Sequence, residues 1–263
     1  MTYRLPQFAF LHAAKETGVG NITLNNDYED ADFPIAHLID NRPSSLMKFS
    51  QSASDHWIKI DRGSGSLEAI DRLIIPEGHN LDPATTITIE TNSTDEWPGT
   101  TRGTLVTPGS GLLDITLTSN TDRWIYVEIF GTGTWEIGQL FFTRTRTMTT
   151  AGPDSKWTER PVPAMIRREL STREANSTLA ANRKAWSLTH NALDSTDVAI
   201  LDDLLEAVGV GASPFYYDST DDGDDPRLMR IENLAPTRQQ DNPAPKSNDP
   251  TYEIALEMLE QTS

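Results

Sequence analysis

The chain has 263 residues, a length comfortable for two domains, and either half can bury a core without covalent staples. It contains no cysteine, which excludes disulfides and thiolate metal sites, and no apolar run approaches the roughly 18 residues of a membrane span. A formal net charge of −17 repels phosphate backbones and argues against gripping nucleic acid; it suits solubility, a salty habitat, or a surface that lets nucleic acid pass without sticking.

The opening MTYRLPQFAFLHAAKETG is a poor signal peptide, because Pro6, His12 and Lys15 break its apolar run. The expectation is a soluble protein made in the cytoplasm, with no membrane partner. Residues 1–146 then read as all-β, without solenoid repeats. Trp57, Ile58 and Ile60 open one strand, and Ile70, Leu73, Ile74 and Ile75 form a second. Ile87 and Ile89 alternate with Thr86 and Thr88, and Leu113, Ile115 and Leu117 alternate with polar neighbours. In RWIYVEIF, Trp124, Tyr126 and Glu128 lie opposite Ile125, Val127 and Ile129; WEIGQLFFTRT closes the set. Short strands with turn residues between them indicate a sandwich or jelly roll, each strand having a buried and a wetter face.

Residues 143–163 lose the alternation at Gly152-Pro153 and carry two further prolines, so they read as a linker. Beyond it, residues 166–193 read as a strand hairpin with a wide, ragged turn. DSTDVAILDDLLEAVG is the clearest helix: Asp194 or Ser195 caps it, Val198, Leu201, Leu204, Leu205 and Val208 form one apolar face, and Gly209 stops it. SPFYYDS, RLMRIENLAP and TYEIALEMLEQ read as strands, the last because Tyr252, Ile254, Leu256 and Met258 alternate with Glu253, Ala255 and Glu257. Residues 235–250, polar and proline-rich, read as a long loop.

Within residues 31–142, the order of FPIAHLIDNRPSSLMKFS, DHWIKIDRGS, AIDRLIIPEGHNL, ITIET, DRWIYVEIF and EIGQLFF resembles a discoidin-like, galactose-binding-like jelly roll. Leu46-Met47 stands where that family carries an early Trp, and Arg62 stands where it carries a Leu after the Asp. The resemblance covers about half of the chain and implies binding of sugars, lipids or proteins through loops at one end. Trp97 and Trp135 sit in loop-like contexts, where an aromatic either stacks on a sugar ring or packs as a partly buried residue.

Residues 183–259 are similar to the core of tail-tube-like distal or minor tail proteins of long-tailed bacteriophages, through Arg183, Trp186, Pro214, Phe215, Asp218, Arg227 and Tyr252. The expected fold is therefore mainly β: a β-sandwich jelly roll over residues 1–147, then a tail-tube-like β-sandwich or barrel over 148–263 with one packed helix at about 195–208. The resemblance implies a structural protein forming a ring near the distal end of a phage tail, joining tube to tip or baseplate and lining a DNA channel. Its partners would be identical copies (a hexamer ahead of a trimer), the tail tube protein and tip or hub proteins, with DNA passing through without specific binding. Its location would be the virion. A carbohydrate-binding module for host-surface glycans is the alternative.

No enzyme is expected, and no catalytic, cofactor or metal residue is assigned. The histidines His12, His37, His56, His79 and His190 form no H-x-x-x-H pair and read as ordinary polar residues. There is no G-x-S-x-G elbow and no phosphate-binding glycine loop; Gly209 and Gly211 follow a helix and read as its cap. The acidic run 218–226 places Asp218, Asp222 and Gly223 at the first, fifth and sixth positions of a helix-loop-helix calcium loop. Thr220 and Met229 occupy its third and twelfth positions, which leaves a solvated turn, an interface loop or a lumen-facing loop ahead of calcium.

Overall fold

The computed structural model describes residues 7–10, 21–24, 29–40, 45–64, 67–106, 108–109, 111–149, 156–170, 173–208, 215–218, 227–238 and 252–260, with residues 8, 156–170, 173–192, 217–218, 233–238, 252–255 and 258–260 as backbone only. The chain is mainly β and divides into two compact units: residues 11–145, and residues 1–10 with 146–262.

The first unit is a β-sandwich. Its larger sheet runs in the order Ile22–Leu24 (β2), Ala53–Asp61 (β4), Trp124–Gly133 (β9), Thr86–Asn92 (β6) and Thr100–Val106 (β7), each pair antiparallel. The smaller sheet is Phe141–Thr143 (β11), Ile70–Ile75 (β5) and Leu113–Asn120 (β8), and Met47–Lys48 (β3) pairs with Glu136–Ile137 (β10). The alternation read in the sequence is the burial pattern observed. Ile58, Ile60, Ile87, Ile89, Ile125, Val127 and Ile129 point into one core with Leu73, Ile75, Ile115 and Leu117 from the facing sheet. Two sheets whose inner faces interdigitate are the sandwich solution, and each such side chain contributes about 1.5–3 kcal/mol on burial. Met47, at the position of the early Trp of the resembled family, is fully buried in that core.

Arg62 also finds its reason. It is buried, and its guanidinium donates to the carbonyls of Asp122 and Glu68, tying two loops at one end of the sandwich. Gly63 follows with φ of +82°, a conformation that favours glycine, and its N–H donates to Asp61 at 2.8 Å. Strand β7 falls in a stretch that reads as loop in the sequence. It is an edge strand whose residues are all exposed or half-buried, so it carries no apolar alternation.

The second unit is built on a seven-stranded sheet, antiparallel at the five pairings from its second strand onward. Its order is Thr145–Thr147 (β12), Gln7–Ala9 (β1), Phe215–Asp218 (β15), Arg227–Arg238 (β16), Tyr252–Glu260 (β17), Arg173–Leu193 (β14) and Lys156–Leu170 (β13). Strand β1 reaches this sheet from the far N-terminus, pairing Phe8 with Tyr217. The expected linker over 143–163 is corrected: β12 and the start of β13 lie within it. Pro161 and Pro163 are tolerated because β13 is the sheet's edge, where a missing N–H costs no ladder bond, and the register shifts between Val162 and Ala164. The wide hairpin turn is corrected too, since pairing continues to Leu170–Arg173. Part of the expected 235–250 loop is strand, as β16 runs to Arg238.

Helix α1 (Ser195–Val208) has the expected bounds and face: Leu201, Leu204 and Val208 are buried, with Val198 and Leu205 half-buried. Asp194 caps it, accepting the Asp197 N–H at 2.9 Å. Asp197 is itself buried and accepts hydrogen bonds from the Thr149 N–H and hydroxyl. Among the described residues no helix is long and apolar enough to cross a membrane.

Candidate functional site

The outer face of the five-stranded sheet carries a run of aromatic side chains. Pairing places Trp57 opposite Glu128, Lys59 opposite Tyr126 and Asp61 opposite Trp124 across β4 and β9. On the other side of β9, Tyr126 is opposite Glu90 and Glu128 opposite Thr88. Side chains at every second position share a face, so Trp57, Trp124, Tyr126, Glu90 and Glu128 project from the side away from the core. All five are half-buried, whereas their neighbours Ile58, Ile125, Val127 and Ile89 are buried.

Trp57 stacks on Tyr126 with ring centroids 5.4 Å apart and planes at 29°. A third ring arrives from the β6–β7 loop: Trp97 lies 4.4 Å from Tyr126, centroid to centroid. The loop is held down by its own polar groups. Gly99 N–H donates to Glu90 at 3.0 Å, Asn92 Nδ2 donates to the Glu96 carbonyl at 2.7 Å, and the Trp97–Pro98 peptide is cis. Gly99 leaves no room for a Cβ, which would meet the Thr91 carbonyl oxygen at 2.7 Å.

The charges on this face are divided. Trp124 has the Lys59 ammonium 5.1 Å and the Arg123 guanidinium 5.0 Å from its ring centroid. Both cations are matched: Lys59 reaches Asp95 at 3.1 Å, and Arg123 grips both oxygens of Asp61 at 2.6 Å. The Arg123 bond is the main reason that the Asp61 carboxyl sits below its ordinary value. Around Tyr126 the residues are acidic. Burial, then Glu128, Asp55 and Glu90, push its phenol up to about 12. Burial, then Glu90 and Asp55, raise the Glu128 carboxyl above its ordinary value. Among the described residues, neither Glu90 nor Glu128 enters an ion pair.

The two loop tryptophans therefore part company. Trp97 belongs to the aromatic run, while Trp135 is buried in the sandwich core, the packing role open to it from the sequence. The described histidines act as polar anchors. His37 Nδ1 bonds the Leu46 carbonyl at 2.7 Å, His56 Nε2 the Gly133 carbonyl at 2.9 Å, and His79 Nε2 the Gly111 carbonyl at 2.9 Å. His12 and the side chain of His190 lie outside the described residues, as do Pro214 and most of the acidic run. The flanks of that run, β15 and β16, are paired strands rather than helices. No group of described residues could hold a metal ion. What sequence reasoning missed is the platform as a unit. The alternation of β9 sets Trp124 and Tyr126 opposite its apolar face, but neither the outward turn of Trp57 nor the arrival of Trp97 is legible in the sequence.

No protein-family model matches the chain, and no curated protein matches it. Among solved structures it is similar to chitosan-binding module 1 of a chitosanase/glucanase from Paenibacillus sp. IK-5, at 19% identity and TM-score 0.43, over 51% of this chain and 99% of that one. It is similar to a fucose-binding module of Streptococcus pneumoniae at 12% identity and TM-score 0.40, over 51% of this chain and 96% of that one. A third is CpGH89CBM32-5 from Clostridium perfringens, in complex with GalNAc-beta-1,3-galactose, at 14% identity and TM-score 0.39, over 49% and 99%. Likenesses this distant add nothing to the geometry of the face, which carries the functional reading alone.

Proposed function

We propose that residues 11–145 form a carbohydrate-recognition unit that binds glycan on the outer face of its five-stranded sheet, without turnover. The observation that carries this reading is the half-buried run Trp57, Tyr126 and Trp97 held beside the carboxylates of Glu90 and Glu128. A pyranose ring has an apolar C–H face that packs on an aromatic ring and a rim of hydroxyls that needs acceptors. Both requirements are met within neighbouring rows of one rigid sheet. Directly opposed residues in such rows have Cβ atoms about 4.5–5.5 Å apart, the scale of one sugar ring. A nucleic acid, which also stacks on aromatics, would be repelled by the acids.

The test is binding of the full chain to a glycan array, followed by calorimetry on the ligand found. Trp57→Ala and Tyr126→Ala are expected to weaken it by about tenfold or more, which is about 1.4 kcal/mol. Absence of any glycan ligand, or equal binding by both variants with the fold retained, overturns the proposal.

A second reading concerns the other unit: a ring-forming structural protein of a phage tail, with tube, tip and hub proteins as neighbours. The observation that favours it is the β13–β14 hairpin. Strand β14 pairs with β17 only from Ala185 onward, so Val162–Leu170 and Arg173–Arg183 form a two-stranded ribbon running past the sheet. A two-stranded ribbon is marginal alone, and among the described residues no strand pairs the outer edge of β13. A second copy would cover both, and head-to-tail contacts that close make a ring. Mass measurement in solution is expected to give several subunits, six ahead of three; lone subunits at high concentration overturn this reading.

A further inference from the structure

The aromatic face is not electrically uniform. At its Trp124 end the cations Lys59 and Arg123 are present and already matched by Asp95 and Asp61. At its Trp57–Tyr126 end the register sets Glu128 directly across from Trp57 and Glu90 directly across from Tyr126. Asp55 lies two residues before Trp57 on the same strand face and adds a third carboxylate felt at Tyr126 and Glu128. Lys59, opposite Tyr126, is turned to Asp95 and Trp124 instead. This end therefore combines stacking surface with negative charge.

We propose that the ligand of this face is a cationic glycan, an oligomer of unacetylated amino sugar whose ring stacks on Trp57 and Tyr126 and whose ammonium pairs with Glu128 and Glu90. The proposal rests on the glycan reading above and adds the charge. An ammonium is favoured twice here. It makes charge-assisted hydrogen bonds to the carboxylates, and the electron-rich faces of Trp57 and Tyr126 attract it as well. A neutral sugar obtains only the stacking. An acidic sugar is repelled by Glu90, Glu128 and Asp55 together. The raised Glu128 carboxyl fits the same picture, because burial and like charge hold it in a state that a bound cation would relieve.

The experiment is calorimetry of the full chain, at mildly acidic pH and low salt, against three glycan probes of equal length, with a lysine hexamer as a charge control. The glycans are a β-1,4-glucosamine hexamer, its fully N-acetylated counterpart and a β-1,4-glucose hexamer. The expected result is binding of the glucosamine hexamer at least tenfold tighter than either neutral probe, weakening as salt screens the pair. Glu128→Gln, checked for fold by circular dichroism, is expected to shrink that preference at least threefold. Neutral probes binding as well as the glucosamine hexamer overturn the proposal, as does a preference that survives both salt and Glu128→Gln. In either case the glycan reading still stands. A lysine oligomer binding as tightly as the glucosamine hexamer overturns it too, by showing a charge site with no preference for sugar. If no glycan of any charge binds, the underlying glycan reading fails with it.

Discussion

The indole of Trp135 closes over Gly133 so tightly that a Cβ on the glycine would lie 2.8 Å from Cη2 and 2.9 Å from Cζ2 of the ring. Gly131, with φ of +145°, lies against the same ring, and the Gly133 carbonyl accepts the His56 Nε2 bond. Gly133→Ala should therefore force either the ring or the end of β9 to move. The expected cost is about 1–3 kcal/mol, read by urea unfolding with tryptophan fluorescence. Gly109→Ala, at a position where no described residue comes within 4 Å of the added carbon, should stay within about 0.5 kcal/mol of the parent protein.

Glu128 predicts a pH dependence of opposite sign to that of a paired carboxylate. Its folded value is raised, chiefly by burial and then by Glu90 and Asp55. Below the ordinary glutamate value both folded and unfolded chains hold the proton. As pH rises from the ordinary to the raised value, the unfolded chain releases it first, so stability falls with pH. Above the raised value the loss is complete. Glu128→Gln should thus raise the melting temperature at neutral pH, by an effect of about 0.2–1 kcal/mol for a partly exposed charge. The gain should disappear in acid. Thermal melts of both proteins between acid and neutral pH check it.

Much of the sandwich was readable because its strands are half-buried. Ile125, Val127 and Ile129 could only face a core if Trp124, Tyr126 and Glu128 faced away, and they do. Strand β7 was not readable, because an edge strand without a buried side has no pattern to show. Strand β13 was hidden for a different reason: Pro161 and Pro163 are punctuation almost everywhere except on a sheet's edge, and edges are a property of topology. The same limit applies to the site. Trp97 meets Tyr126 through a loop that Glu90 anchors by the Gly99 N–H, a contact that alternation cannot reveal. Helix α1 was legible in full because its cap, its apolar stripe and its end are all local.

Asp61 and Asp122 set the acid limit of the sandwich. Asp61 is lowered mainly by its bond to Arg123. Asp122 is lowered although burial alone would raise it, because hydrogen bonds from Thr91 and Arg102 and the charges of Arg102 and Arg62 outweigh the burial. For lowered carboxylates the stabilisation is present above the ordinary aspartate value and is lost as pH falls through the folded value. Acid titration followed by circular dichroism should show the parent protein losing stability in that window. Asp61→Asn and Asp122→Asn should be less stable at neutral pH and should each flatten the acid fall. An unchanged acid slope in both variants would show that other groups carry it.

The entry of α1 depends on two aspartates with different tasks. Asp194 accepts the Asp197 N–H, satisfying one of the donors that a helix start leaves open, and the Thr149 hydroxyl bonds its other oxygen at 3.1 Å. Asp197 points inward, is fully buried, and takes both the N–H and the hydroxyl of Thr149. Asp194→Ala should cost about 0.5–2 kcal/mol, the range for losing such a cap, and Asp194→Asn should recover most of it. Asp197→Ala should cost more than a surface substitution, about 1.5–3 kcal/mol, because it removes a buried charged acceptor from both the N–H and the hydroxyl of Thr149. Hydrogen exchange separates the two: the cap variant should lose protection in the first turn of α1, whereas Asp197→Ala should also release the amide of Thr149.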